Sequence, residues 1–355
     1  MKKQAKIKVV CAMSGGVDSA VSAALLKRAG FDVIGVFMKF WTDEMPIGVC
    51  LPENRCCSTE SEQRARKTAL QLGVPFYVLD LRAEFKKKVV DRFLEDTKAG
   101  LTPNPCVTCN REIKFGLFID KALEMGADYV ATGHYVQIKK TKDGIFHLLK
   151  GQDKDKDQSY FLWRLSQKQL ARVIFPVGCF VKDEVRALAK KWRLPSAETP
   201  ESQEVCFVGG DMDAFLAKYC GKNTGNIVNT EGQAIGQHEG LWFYTIGQRK
   251  GIKLSGGPFY VRDKNWERNE LVVAKMPAEL KGGLAMLSDI YWVAGNAPDL
   301  PIKLRTKIRY RAKEFGAVLE GGGVLKFDKP QFAVTPGQSA VFYKGKEVLG
   351  GGIIR

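Results

Sequence analysis

The residues best suited to chemistry in this sequence are three thiols and one phosphate-sized loop. Cys106 and Cys109 form a C-x-x-C in TPNPCVTCNREIKF, with two prolines ahead and a helical pattern behind, and Cys206 lies 97 residues further on in ESQEVCFVGG. A C-x-x-C that opens a helix suits redox chemistry, metal binding or a nucleophile of lowered pKa. Structural zinc calls for a second closely spaced pair, which Cys206 lacks. Two arrangements suit three thiolates better: a nucleophile beside a persulfide-carrying cysteine, or an iron–sulfur cluster with three protein ligands and one open iron. Of the nine cysteines, Cys11, Cys179 and Cys220 sit among apolar residues and read as core. Cys50, Cys56 and Cys57 share one polar loop, GVCLPENRCCSTES, fitted either to bind metal or to form a mobile lid.

The loop is Ser14-Gly15-Gly16-Val17-Asp18-Ser19, placed between a β-branched run and a helical one. Two glycines let backbone approach an anion, two serines add hydroxyl donors, and the helix N-terminus directs N–H groups and partial positive charge at the same spot. It is neither a Walker loop nor a G-x-G-x-x-G fingerprint. A carboxylate beside phosphates needs a reason, so Asp18 reads either as a Mg²⁺ ligand or as a helix cap. Met38, past the second strand, stands either beside an adenine or in the core. Gly133 follows another strand at its carboxyl end, where open α/β sheets place nucleotides, and permits close backbone approach. His134 reads as a hydrogen-bonded structural histidine.

Elements must hold these groups. A chain of 355 residues, 45% hydrophobic and 26% charged, is globular in composition and long enough for two to three domains. Up to about residue 200, strands at 7–10, 33–38, 76–79 and 129–132 alternate with helical patterns at 19–28 and from 59 to a stop at Gly73, the latter opened by a capping box between Thr59 and Glu62. Strands separated by helices pair in parallel, so this part is expected to be a doubly wound α/β domain. Gly-punctuated β-rich stretches at 226–273 and 290–354 predict small all-β domains. The net charge of +16 points to a polyanionic partner. An excess of +11 lies within residues 1–200, and Lys303, Arg305, Lys307, Arg309, Arg311 and Lys313 recur at every second residue, which predicts one cationic strand face. No apolar run approaches the ~20 residues that span a bilayer and no signal peptide is evident, so a cytoplasmic protein with reduced cysteines and no membrane partner is expected.

SGGVDS after a strand resembles the pyrophosphate-binding loop of the PP-loop ATP pyrophosphatases. The full series MSGGVDS, GVFMKFW, TPNPCVTCNREIKF, ATGHY, KDKDQSYFLW, ESQEVCFVGG, YTIGQRKG, IRYRAK and TPGQSAVFYKGKEVLGGGII resembles the tRNA-specific 2-thiouridylase family over essentially the whole chain. The resemblance implies a PP-loop catalytic domain over 1–205, a small central β-rich domain over 206–278 and a C-terminal β-barrel that binds tRNA over 279–355. It implies an enzyme that uses ATP with Mg²⁺ to adenylate the C2 oxygen of a wobble uridine, in the tRNAs for Lys, Glu and Gln, and then replaces that oxygen with sulfur. The sulfur would come from a persulfide donor such as a cysteine desulfurase or a sulfur-relay protein.

Carried over onto this sequence, Ala12, Met13, Ser14, Gly15, Gly16, Val17, Asp18, Ser19, Met38 and Gly133 are ATP contacts by resemblance, and Asn104, Pro105 and Cys106 meet the target base. Cys109 becomes the cysteine facing the uridine and Cys206 the persulfide carrier, the two ending as a disulfide. Lys156, Asp157 and Gln158 become a tRNA-contacting turn, and Arg309 with Tyr310 a second contact. One position departs: Cys106 stands where many members of the family carry Asp. That departure keeps open a [4Fe-4S] cluster on Cys106, Cys109 and Cys206 that delivers sulfide. Two rival readings are an ammonia-using ligase, which needs the loop but not the thiols, and an RNA-binding protein with a vestigial loop.

Overall fold

The computed structural model describes residues 6–43, 58–200 and 205–355. The β-branched runs form β1 (Lys8–Ala12), β2 (Asp32–Lys39), β3 (Phe76–Asp80) and β4 (Tyr129–Ala131), followed by β5 (Val136–Lys140), β6 (Phe146–Lys150) and the two-residue β7 (Val173–Ile174). Five of these make a parallel sheet in the order β3-β2-β1-β4-β7. Both faces are covered, which is why β1 is apolar at successive positions. Val9 and Cys11 pack with Ala23 and Leu26 of α1 (Val17–Arg28) and Ala65 and Ala69 of α2 (Thr59–Leu72), while Val10 packs on the opposite face with Phe115, Phe118 and Ile119.

The expected helices are found with one shift of register. Ser58, not Thr59, caps α2, its Oγ accepting the Ser61 N–H at 3.2 Å, and the helix stops at Gly73 with φ 60°. Glu62 is consequently one position too late to close a box with the cap. Strand order runs from β1 through β2 to β3 in one direction, and β4 then lies on the other side of β1. The loops after β1 and β4 therefore flank the crevice that such a reversal opens at the carboxyl edge of the sheet.

Past residue 205 the chain is β-rich, as its glycine punctuation predicts. β8 (Gly225–Val228), β9 (Ala234–His238), β10 (Tyr260–Asn265) and β11 (Glu270–Ala274) form a four-stranded sheet over Ile227, Leu241, Val261 and Leu271. β12 (Lys281–Trp292), β13 (Ile302–Lys307), β14 (Phe315–Leu319), β15 (Val324–Phe332), β16 (Ser339–Lys344) and β17 (Glu347–Ile354) form a barrel closed by pairing of β12 with β17. The β5–β6 hairpin, although it follows β4 in the chain, pairs with the start of β17. One apolar core consequently runs from Val10 and Phe118 through Tyr160 and Trp163 to Val341 and Tyr343.

Two expectations are corrected here. The cationic strand ends at Lys307, and Arg309–Ala312 is a turn closed by the Ala312 N–H on the Arg309 carbonyl. Buried Ile308 anchors the chain as it leaves the sheet, so the six cations do not share one face. Of the three cysteines read as core, only Cys11 is fully enclosed, and burial pushes its thiol up to about 12. Cys220 is half-buried and Cys179 is exposed. Cys50, Cys56 and Cys57 lie outside the described residues. Among the described residues no helix is long and apolar enough to cross a membrane.

Candidate functional site

The phosphate loop is locked before any ligand arrives. Ser19 Oγ donates to the Gly16 carbonyl at 3.0 Å and accepts the Ser14 N–H at 3.1 Å, which folds Ser14–Ser19 back on itself at the start of α1. Gly15 has φ +78°, and a Cβ there would lie 2.2 Å from the Ser61 carbonyl oxygen, so the loop rests against the first turn of α2. Gly16 differs: an added Cβ would meet only Ser14 Oγ, at 3.5 Å. The open side of the loop is therefore at Ser14 and Gly16. Ala12, Met13 and Val17 are buried, so they shape the loop from beneath.

Gly133 makes a close approach, as expected, but to protein. A Cβ there would stand 2.8 Å from Asp18 C and Ser19 N. It lets the end of β4 touch the first turn of α1. His134 is structural, its Nδ1 2.7 Å from Thr132 Oγ1 and its ring between Phe115 and Phe175. Burial, reinforced by the Lys114 charge, holds the imidazole well below the ordinary 6.5. Below about pH 6.5 the unfolded chain takes up a proton that the native state refuses. This contribution to stability is present above that pH and is lost as pH falls toward the native value. The urea midpoint should fall more steeply between pH 7 and pH 5 in the parent protein than in His134→Gln.

Asp18 is not the cap of α1, a place taken by Gly16, and two protein groups hold its carboxylate. Its Oδ1 accepts the Tyr135 hydroxyl at 2.6 Å, and the Lys182 ammonium lies 2.7 and 2.8 Å from its two oxygens. Lys182 is 7% exposed. Sequence reasoning missed both partners, which stand 117 and 164 residues from Asp18. One signal was available: Lys182 opens the helix Lys182–Lys191, where a cation opposes the helix dipole. Arg64 of α2, also missed, donates to the Gly15 carbonyl at 3.3 Å.

The thiols lie along the same edge of the sheet. Cys109 is buried in a cluster that includes Phe40, just past β2, together with Phe85, Phe93 and Phe207, and Cys206 packs on the rim of that cluster. Met38 bridges it to the main core. Cys106, one helical turn before Cys109, is exposed. Cys109 starts a π-helical segment, Cys109–Leu117, of the kind that recurs at functional sites. Among the described residues no group of three or more His, Cys, Asp or Glu side chains is placed to hold a metal ion. The three cysteines do not fit an iron–sulfur cluster as arranged, because Cys109 is enclosed by phenyl rings while Cys106 faces outward.

Asn104 and Pro105 are half-buried at the start of the short helix Pro105–Thr108. The chain ahead of them is held by the barrel, where the Thr102 N–H donates to Pro336 O at 2.8 Å and Gln338 Nε2 donates to Thr102 O at 2.7 Å. Arg309 reinforces this support. Its Nη2 donates to Ile246 O, Ala333 O and Thr335 Oγ1 at 2.7 to 2.9 Å, tying the central sheet region to the barrel turn that holds Thr102. Arg309→Met strips those acceptors and should cost about 1–3 kcal/mol, measurable by urea titration. In the 156–158 turn, Asp157 accepts the Gly151 and Ser159 N–H groups and Gln158 Oε1 accepts the Tyr135 N–H. These two side chains hold the turn, and Lys156 beside them is half-buried. Tyr310 packs on Phe161 with ring centroids 4.4 Å apart.

Residues 7–210 match the family described as the tRNA methyl transferase HUP domain, 213–275 the tRNA methyl transferase PRC-barrel domain, and 284–354 the aminomethyltransferase beta-barrel domain. The chain is 43% identical to the tRNA-specific 2-thiouridylase MnmA of Shouchella clausii, with 100% of this chain and 98% of that protein covered. The MnmA of Geobacter metallireducens is 45% identical with the same coverage. That of Streptococcus sanguinis is 42% identical, covering 100% and 96%.

Proposed function

Because the chain belongs to the tRNA-specific 2-thiouridylase family, we propose that it converts the wobble uridine of tRNA to 2-thiouridine in two steps that share one crevice. The observation that carries this reading is the common edge: the phosphate loop follows β1, and the Phe40 that packs with Cys109 follows β2, its parallel neighbour. An activating nucleotide and a sulfur carrier thus meet over one base.

A uridine C2 carbonyl is a poor electrophile with no leaving group. In the first step O2 attacks the α-phosphorus of MgATP and pyrophosphate departs, its charge met by the Ser14–Ser19 loop and the N-terminus of α1. In the second, the terminal sulfur of a Cys206 persulfide attacks C2, and the activated oxygen leaves with AMP. The Cys109 thiolate then attacks Cys206 Sγ and breaks the S–S bond, which leaves the terminal sulfur on the base and a Cys109–Cys206 disulfide. A dithiol reductant returns both thiols, and a persulfide donor reloads Cys206. The apolar cluster of Phe40, Phe85 and Phe207 around Cys109 keeps water from the sulfur-transfer side of the site. Asn104, Pro105 and Cys106 take the base of the tRNAs for Lys, Glu and Gln. Lys156, Tyr310 and the exposed Lys303 and Arg305 on β13 take the tRNA backbone, and phosphate contacts of that kind position without reading sequence.

Pyrophosphate release from ATP should require a wobble-uridine tRNA, and thiolated product should require a persulfide donor as well. Release driven instead by a small carboxylic acid with ammonia, and indifferent to tRNA, would overturn the reading.

A further inference from the structure

We propose that Cys106 is a resolving thiol, which moves the disulfide left by sulfur transfer from the enclosed Cys109–Cys206 pair to a Cys106–Cys109 pair at the surface. The inference rests on the persulfide reading above, under which each turnover ends with Cys109 joined to Cys206. That bond is hard to reopen from outside. Cys109 is 6% exposed and packs in the cluster of Phe40, Phe85, Phe93 and Phe207. A folded reductant must bring its own sulfur up to the bond it breaks, and these rings bar it from Cys109. Cys206 is half-buried at the rim of the cluster. A reductant engaged there would occupy the sulfur that has to take the next persulfide.

Cys106 is exposed, while Cys109, one helical turn later, is buried. Both lie on one unbroken helical run, 105–124. Helical residues three apart have Cα atoms about 5 Å apart and side chains on neighbouring faces, and a disulfide spans about 4.4–6.8 Å between Cα atoms. The turn therefore holds one sulfur in water and the other in the apolar cluster, at a separation that a bond can close. Cys220 also touches the rim of the cluster, but burial pushes its thiol up and leaves it the poorer nucleophile. The exchange needs no outside electrons. The Cys106 thiolate attacks Cys109 Sγ, the Cys109–Cys206 bond breaks, and Cys206 leaves as a thiolate, open to the persulfide donor. A dithiol reductant then opens Cys106–Cys109 at the surface and is itself oxidised to a disulfide.

The test loads the protein with persulfide from a cysteine desulfurase and cysteine, and allows one turnover on tRNA with ATP and no reductant. Thiols are then alkylated and the chain is digested with trypsin. Cys106 and Cys109 share the tryptic peptide 99–111, and Cys206 is the one cysteine of 194–218. The parent should yield 99–111 lighter by two hydrogen atoms, with its disulfide internal, and 194–218 alkylated. Cys106→Ser, which keeps the size of the side chain, should yield the two peptides cross-linked. In repeated turnover with a protein dithiol as reductant, the ratio of later turnovers to the first should fall about tenfold in Cys106→Ser and recover with dithiothreitol, which is small enough to enter. Taking that ratio within each protein removes any effect of residue 106 on the first round. A parent left with Cys109 joined to Cys206, or with a disulfide to any other cysteine, overturns the proposal, as does an unchanged ratio in Cys106→Ser. A persulfide-loaded parent that forms no 2-thiouridine sinks the functional reading instead.

Discussion

Cys206→Ala and Cys109→Ala are each expected to form no 2-thiouridine while binding tRNA within about threefold of the parent protein. Neither change should disturb the fold. Cys109 is a small side chain 6% exposed among phenyl rings, and Ala is a small apolar replacement. Cys206 sits at the rim of the same cluster, where less is buried. On the proposed route what is lost is chemistry: without Cys206 there is no sulfur to deliver, and without Cys109 the adduct on the base is not released. Residues that act as one unit are not additive, so the double variant should be no worse than either single one. Quantitation of thiolated nucleoside by mass spectrometry checks this, and product from either variant at more than about 1% of the parent rate would refute the assignment. Protein prepared free of iron should keep its activity, because Cys106 stands outside the cluster that holds Cys109.

The second large effect separates two glycines that look alike in the sequence. Gly133→Ala forces a methyl to within 2.8 Å of the Asp18 and Ser19 backbone. Backbone cannot yield as a flexible side chain can, so the first turn of α1 must shift. A cost of about 1–3 kcal/mol in stability is expected from overpacking, together with a large rise in the KM for ATP. Gly16→Ala is the contrast. Its φ of −85° suits any residue, and its added methyl would touch only Ser14 Oγ at 3.5 Å. That variant should unfold at the parent's urea midpoint yet lose tRNA-dependent pyrophosphate release, because the methyl occupies the side of the loop left open for phosphate. Native stability with native ATP kinetics in Gly16→Ala would place the nucleotide elsewhere.

The difference between these glycines marks what local sequence can convey. Residues 14–19, the β-branched run before them, Gly73 as a helix stop and the glycine-spaced strands of the barrel all act through neighbours a few positions away, where dihedral limits and side-chain period apply directly. Those features, and with them the parallel sheet and the phosphate loop, were legible in the sequence. The cationic strand was not, because alternation continues in the sequence after the chain has turned: Lys307 is the last residue of β13, and Arg309 leaves it to join Ile246 to Thr335. The same limit hid the partners of Asp18. Tyr135 and Lys182 reach it only because β4 lies beside β1 and because the Asp153 turn fixes the start of a distant helix.

By itself, then, the sequence determined which segments could cradle phosphate and which thiols were candidates, since both follow from residue type and short spacing. Tertiary structure decided that Cys109 and Cys206 share one apolar cluster, that Asp18 is neutralised by Lys182, and that the loop leading to Asn104 hangs from the barrel through Thr102. Those are pairings across roughly a hundred residues or more, set by strand order and by burial, and no local period records them.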